Sequence, residues 1–317
     1  MILTLTPNPS IDRTITLGGE LVRGQVQRVV SVTSQAGGKG VNISRASVSA
    51  GEPTLAVLPA AKDDPFVMEL LSAGIDCRPV RPAGEVRVNV TITEPDGTTT
   101  KLNSPGATVG ADHLEAMAAT LLARAPGASW TVLAGSLPAG APAGFYAELV
   151  RRLRAIGARV AVDTSDAPLR ALVDALPGSA PDLMKPNGAE LASFAGGDAD
   201  DLEHDPEKAA TAARTLVDRG VRTVLATLGG NGAVLVTAEG AWHATPPPTT
   251  VVSTVGAGDS SLFGYLLGDL RGLPAPDRLA LAVAYGSAAA ALPGTTIPEP
   301  AHLRTDLVTV TVLGGSA

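Results

Sequence analysis

Short apolar runs alternating with amphipathic stretches limit most strongly what this chain can become. Ile2–Thr6, Thr54–Leu58, Thr131–Ala134, Val160–Asp163 and Thr223–Thr227 read as strands. Between them, Leu114–Leu122, Phe145–Ile156, Glu207–Arg219 and Leu279–Ala291 carry apolar residues at helical spacing. Pro142 and Pro276 suit the first turns of two of these helices, and Ser260–Leu270 is expected as another helix, opened by glycines. Repeated strand–helix units predict an α/β fold around a mostly parallel sheet. At 317 residues the chain fits one large domain spanning 1–317.

A second texture interrupts this order. Thr14–Leu17, Gln27–Val32, Val86–Thr93 and Thr98–Leu102 are rich in Thr and Val and alternate with period two, and Glu94-Pro95-Asp96-Gly97 reads as a hairpin turn. These strands, drawn from about 12–34 and 86–103, are expected to form a small β-sheet lid over the mouth of the main domain. Its apolar face needs cover, so a homodimer through the lid is expected. The acidic run in Gly196–Pro206 lacks the ligand spacing of a calcium loop and reads as a solvated loop.

The net charge of −7 argues against nucleic-acid or anionic-membrane partners, which reward excess Lys and Arg. Cys77 is the single cysteine, which excludes an intrachain disulfide and suits a reducing compartment. The four histidines lack metal-ligand spacing. Met1–Pro7 has neither a basic start nor a sustained apolar stretch and reads as a strand rather than a signal peptide. Together these features predict a soluble cytoplasmic protein.

The most informative segment is Ser253-Thr254-Val255-Gly256-Ala257-Gly258-Asp259-Ser260. Its glycines let the backbone turn tightly, and a helix starting here would present free amides and its positive dipole end to an anion. Asp259 beside that anion could accept the proton of an attacking hydroxyl. A plain turn with Asp259 as a cap is the alternative. Walker and dinucleotide fingerprints do not fit: Gly40 follows Lys39 where Ser or Thr is needed, and Ser261 stands at the third glycine. In Lys185-Pro186-Asn187-Gly188-Ala189-Glu190, Asn187 and Glu190 share one helical face and suit Mg²⁺, though an ordinary helix start explains the pair equally well. Thr227-Leu228-Gly229-Gly230-Asn231-Gly232 is either a hairpin or a backbone cradle for a nucleotide. In Ala36-Gly37-Gly38-Lys39-Gly40-Val41-Asn42, Lys39 could meet an anion and Asn42 a hydroxyl, while Asp12 could accept sugar hydroxyl bonds.

These four separated motifs, in this order, resemble the phosphofructokinase B family of carbohydrate kinases, which has the ribokinase-like α/β/α fold. The likeness runs from about Leu3 to Thr296. Thr6-Pro7-Asn8-Pro9, Ile11-Asp12, Gly24-Gln25-Val26-Gln27-Arg28 and Gly135-Ser136-Leu137-Pro138 are most similar to the branch of 1-phosphofructokinases and tagatose-6-phosphate kinases. Ser10 and Ser104 replace the usual Ala and Glu, and Asp63-Asp64 stands where a Gly-rich turn is common.

The resemblance implies an ATP- and Mg²⁺-dependent kinase for a ketohexose phosphate, with fructose 1-phosphate first. Tagatose 6-phosphate and fructose 6-phosphate are the rivals, followed by an unphosphorylated sugar or a nucleoside and by a non-catalytic sugar-phosphate sensor. It casts Asp259 as base, with the amides of Gly256, Ala257 and Gly258 around the transferred phosphoryl group. Asp12, Gly37, Gly38, Asn42 and Asn103 would hold the sugar. Lys39 and Arg87, helped by Arg28 and Ser136, would hold its existing phosphate, as Arg forks suit phosphate. Lys185, Asn187, Thr227, Gly229, Gly230, Gly232, Gly258 and Ser287 would bind the nucleotide. Glu190 and Asn187 would position Mg²⁺ largely through water. Family members often bind a monovalent cation such as K⁺ through backbone carbonyls; the matching positions are Ser253, Val255, Ala289 and Gly294.

Overall fold

The computed structural model describes residues 1–314. Its strands are β1 (Ile2–Leu5), β2 (Ser10–Leu17), β3 (Val29–Gly37), β4 (Thr54–Pro59), β5 (Asp76–Val80), β6 (Arg87–Thr93), β7 (Thr99–Leu102), β8 (Trp130–Ala134), β9 (Val160–Asp163), β10 (Leu183–Met184), β11 (Thr223–Thr227), β12 (Ala233–Thr237), β13 (Gly240–Thr245) and β14 (Thr309–Leu313). Ten of them form one sheet in the order β14-β13-β12-β11-β10-β9-β8-β1-β4-β5. From β11 to β5 every pairing is parallel; β12, β13 and β14 extend the sheet antiparallel.

The apolar runs of the sequence exist because both sheet faces are covered. Leu3 and Leu5 of β1 pack with Met117, Leu121, Leu149 and Leu153 of the helices Ala111–Arg124 and Phe145–Ala155. Ile2 turns the other way, toward Ile43, Leu262, Leu266 and Tyr285 of the helices Lys39–Ser49, Ala257–Leu270 and Ala275–Ala290. The result is three layers, α/β/α. Each Leu or Val buried fully stabilises the fold by about 1.5–3 kcal/mol, so a core poor in aromatics still suffices. From β1 the chain builds outward through β4 to β5, then returns to the other side of β1 for β8 to β11. Strand order therefore reverses between β1 and β8, and a crevice opens beyond their carboxyl ends.

A separate four-stranded sheet, β3-β2-β6-β7, has β2 parallel to β6 and its other pairings antiparallel. The expected turn joins β6 to β7, with Glu94 N–H donating to Thr98 O (2.9 Å) and Gly97 at φ 91°. Both β2 and β3 run further than the Thr/Val pattern indicates, so Asp12 and Gly37 are part of this sheet. Val26, Val30, Val32 and Leu102 on or beside it are exposed.

Two local expectations need correction. Pro142 lies before its helix, accepting a bond from Phe145 N–H, whereas Pro276 does sit in a first turn. The acidic run is not simply a loop: Asp198 caps a short helix, Ala199–His204, and Asp205 caps the next, Pro206–Asp218, as carboxylates do at free helix amides. Among the described residues no helix is long and apolar enough to cross a membrane.

Candidate active site

Several strand ends and two helix starts meet at the crevice. Parallel register sets Met184 beside Val162, so the next residues along, Lys185 and Asp163, are neighbours, and Lys185 Nζ lies 3.3 Å from Asp163 Oδ2. Lys39, the first residue of its helix, brings Nζ within 3.3 Å of Asp163 Oδ1 and 3.5 Å of Asp259 Oδ1. Asn42, one turn on, donates Nδ2 to Asp259 Oδ2 at 2.8 Å. Asp163, Lys185, Asn42 and Asp259 are all buried. Two carboxylates and two ammonium groups thus compensate one another where water cannot.

Burial pushes the Asp259 carboxyl above the ordinary carboxylate range; Lys39 opposes this and the Asp163 charge adds to it. Burial acts on Asp163 as well, but Lys185 and then Lys39 outweigh it and hold that carboxyl below its ordinary value. Lys39 is in turn held firmly protonated, first by Asp163 and, against burial, by Asp259.

Asp259 is the third residue of the helix Ala257–Leu270, which starts after Gly256 at φ 79°, a left-handed conformation that glycine adopts without strain. Amides in a first helical turn have no partner within the helix. Of those expected to meet a phosphoryl group, the Ala257 amide leans on Thr254 O at 3.4 Å. Gly258 passes beside Lys185 Nζ.

Asn187 and Glu190 form a reciprocal capping box: Asn187 Oδ1 accepts from Glu190 N–H (2.8 Å) and Glu190 Oε2 accepts from Asn187 N–H (2.9 Å). The ordinary helix start is therefore realised, and it uses only one Glu190 oxygen; Oε1 takes no hydrogen bond among the described residues. Burial raises the Glu190 pKa. Thr227, at the end of β11, bridges to Asn187, which sets the Gly229–Gly232 turn next to the box. A cavity of about 280 Å³ lies between Pro248, Thr250, Val252, Ser287, Ala288 and His302. Ser253, Val255, Ala289 and Gly294 come from two adjoining segments: Ser253 N–H donates to Ala290 O, Ser253 Oγ donates to Gly294 O (3.0 Å), and Val255 N–H donates to Ser253 Oγ (3.2 Å).

At the other end, Asp12 Oδ1 accepts from Ser10 Oγ (2.8 Å) and Asn89 Nδ2 (3.1 Å). A Cβ on Gly37 would stand 2.1 Å from Asp12 Oδ2, so a larger residue there would displace that carboxylate. Arg87, half-buried, donates NH1 to Ser104 O (2.8 Å), and its Nε is buried without a partner. Asn8 Nδ2 joins Pro105 O (3.1 Å) to Ser136 Oγ (3.4 Å), so Ser136 borders the same opening. Gly38 precedes the Lys39 helix and accepts from Asn42 N–H.

Three of the expected residues have surroundings that sequence does not show. Lys39 points at Asp163 and Asp259, its long side chain following the two buried carboxylates. Arg28 is exposed before the far end of β3, roughly 30 Å along the strand from Gly37 at ordinary strand rise, so it does not join the others within one chain. Asn103 is exposed just after β7, next to Ser104, whose N–H donates to Asn89 Oδ1 at 3.3 Å. Asp163 and Asn89 were not singled out from the sequence. Asp163 could have been found as an acid closing a buried parallel strand at the crevice; Asn89 gave no signal beyond its place on an alternating strand.

Comparison with known proteins bears on this arrangement. The family described as "pfkB family carbohydrate kinase" matches residues 6–302. The chain is 38% identical over 315 residues to a protein of Rhodobacter capsulatus named 1-phosphofructokinase, covering 98% of this chain and 97% of that one. It is also similar to the crystal structure of phosphofructokinase-2 from Escherichia coli in complex with substrates and products, with TM-score 0.86, 28% identity, and 96% and 97% of the two chains covered. A structure of that enzyme in complex with potassium gives TM-score 0.86 and 26% identity, with 96% of each chain covered.

Proposed function

Because the chain belongs to the pfkB family of carbohydrate kinases, we propose that it transfers the γ-phosphoryl group of ATP to a hydroxyl of fructose 1-phosphate, giving fructose 1,6-bisphosphate and ADP. The substrate follows the name of the Rhodobacter relative. The observation that carries the chemistry is Asp259, buried at a helix start, with Lys39 3.5 Å from one oxygen and the Asn42 amide 2.8 Å from the other.

Asp259 takes the proton of the attacking hydroxyl as that oxygen bonds to phosphorus and the bond to the ADP oxygen breaks. Its raised pKa makes it a better proton acceptor than an exposed aspartate, while Lys39 keeps it ionised. Amides at Gly256 and Gly258, and the ammonium groups of Lys39 and Lys185, offset negative charge on the transferred group. Asp163 acts through those two lysines, holding both at the crevice. Asp12, its Oδ1 already taken by Ser10 and Asn89, offers Oδ2 to sugar hydroxyls, with Asn42 and the Gly37–Gly38 backbone alongside. Arg87 reads the phosphate the sugar already carries, and its unpartnered Nε is the free donor. The nucleotide base occupies the cavity beside Ser287, and its phosphates run along Thr227–Gly232 toward Lys185.

Glu190 fits a magnesium ion, which keeps several waters and takes one or two carboxylates; Oε1 is free for it, with Asn187 adjacent. When bound, the ion neutralises charge on phosphate oxygens. The convergence of Ser253, Val255, Ala289 and Gly294 supports a K⁺ position there, as does the potassium complex of a similar enzyme. Two copies pair through the small sheet, covering Val30, Val32 and Leu102, and the single unpaired Cys77 suits a cytoplasmic setting.

The test is ADP release across fructose 1-phosphate, fructose 6-phosphate, tagatose 6-phosphate, fructose and adenosine. Fructose 1-phosphate should give the highest kcat/KM. Preference for another sugar phosphate would move the assignment within the family, and efficient turnover of plain fructose or adenosine would overturn the sugar-phosphate reading.

A further inference from the structure

Gln35, Asp12 and Asn89 stand directly opposite one another on β3, β2 and β6. Cross-strand partners point to the same face, so the three form a polar row across the small sheet, with Asp12 in the middle. One end of the row closes on itself through Asn89 and Asp12. The other end leaves the sheet: Gln35 Oε1 accepts from Thr295 Oγ1 at 3.0 Å, across 260 residues of sequence. Thr295 follows Gly294, whose carbonyl accepts from Ser253 Oγ, and that hydroxyl in turn accepts from Val255 N–H, the residue before Gly256. A short run of three hydrogen bonds therefore joins the strand beside Asp12 to the loop that opens the Asp259 helix. Neither Gln35 nor Thr295 has a part in the chemistry described above.

We propose that Gln35 and Thr295 are positioning residues that couple the sugar-binding sheet to the phosphate loop, so that ordering at Asp12 fixes the backbone at Val255–Asp259. The coupling rests on the kinase reading only for its effect on rate; its effect on the loop does not. Removing one neutral hydrogen bond changes an equilibrium by about 2–10-fold.

Backbone hydrogen exchange at Val255–Asp259 in the full chain without ligands is the first readout. Thr295→Val and Gln35→Leu should each speed exchange by about 2–10-fold, Thr295→Ser should restore the wild-type rate, and the double variant should be no faster than either single one. In turnover of fructose 1-phosphate, or of whichever sugar phosphate the wild type prefers, both variants should lower kcat by a similar factor while each KM moves less than about twofold. Wild-type exchange in both single variants, effects that multiply in the double variant, or faster exchange with unchanged kcat would overturn the proposal. Altered exchange in a protein that phosphorylates no sugar would leave the link between sheet and loop standing and remove the functional reading instead.

Discussion

The two ends of the crevice are built differently. At the phosphate end, Asp259, Asp163, Lys39, Lys185 and Asn42 hold one another through contacts of 2.8–3.5 Å, on strand ends and helix starts that the main core fixes. At the sugar end, Arg87 keeps an unpartnered Nε, Arg28 stands far from the rest, and the sheet carrying them leaves valines exposed. The first region is held together by the chain's own contacts. In the proposed reading, the second is completed by a phosphate, a sugar and a second copy of the chain. Preassembly matters where charge develops, since groups already in place need no reorganisation during the reaction; an incomplete sheet matters where substrates must enter and leave.

Variants should break the two ends in different ways. Asp259→Asn should lower kcat by roughly 10²–10⁴, the usual range for a lost general base, with ATP binding retained in a direct binding assay. A variant keeping half of the wild-type rate, with chemistry limiting, would remove Asp259 from that role. Arg87→Ala should act on KM instead. A charge-assisted hydrogen bond is worth about 1.5–3 kcal/mol, and about 1.4 kcal/mol is tenfold, so KM for fructose 1-phosphate should rise about 10–100-fold with KM for ATP nearly unchanged. Equal losses on plain fructose would show that Arg87 shapes the sheet rather than reads a phosphate. Asn89→Leu should raise the sugar-phosphate KM by about 3–10-fold, the effect of one hydrogen bond to Asp12; steady-state kinetics showing a kcat effect alone would contradict that role. Val30→Asp with Leu102→Asp should turn a dimer into a monomer in light scattering at micromolar concentration. A fully active wild-type monomer would refute the pairing.

The same contrast governs what could be read in advance. The parallel strands, the hairpin and the glycine segments were legible because periodicity and backbone chemistry are local properties. Asp259 and Asn42 were legible because each sits at a fixed offset from a glycine turn. Asp163 was not, since a lone acid at a strand end gains meaning only when β10 places Lys185 beside it. Lys39 reads from sequence as an anion-binding residue, but its contacts with Asp163 and Asp259 do not, because a flexible side chain goes where buried charge is, which sequence does not show. Asn187 and Glu190 were read two ways, and the capping box shows that the structural reading holds while one carboxylate oxygen stays free. Arg28 illustrates the limit most simply: a resemblance in the lid segment says nothing about which end of β3 faces the crevice of the same chain.

The central claim is that Asp259 is the base and that Lys39 keeps it ionised in a buried, preassembled cluster. The acid limb of kcat/KM against pH reports the base of the free enzyme. Burial raises the Asp259 pKa and Lys39 lowers it, so removing that ammonium should raise it further. Comparing wild type, Lys39→Met and Lys39→Arg, the account predicts an acid limb shifted to higher pH in Lys39→Met and left near wild type in Lys39→Arg. An acid limb that stays in place, or moves to lower pH, in Lys39→Met would contradict it.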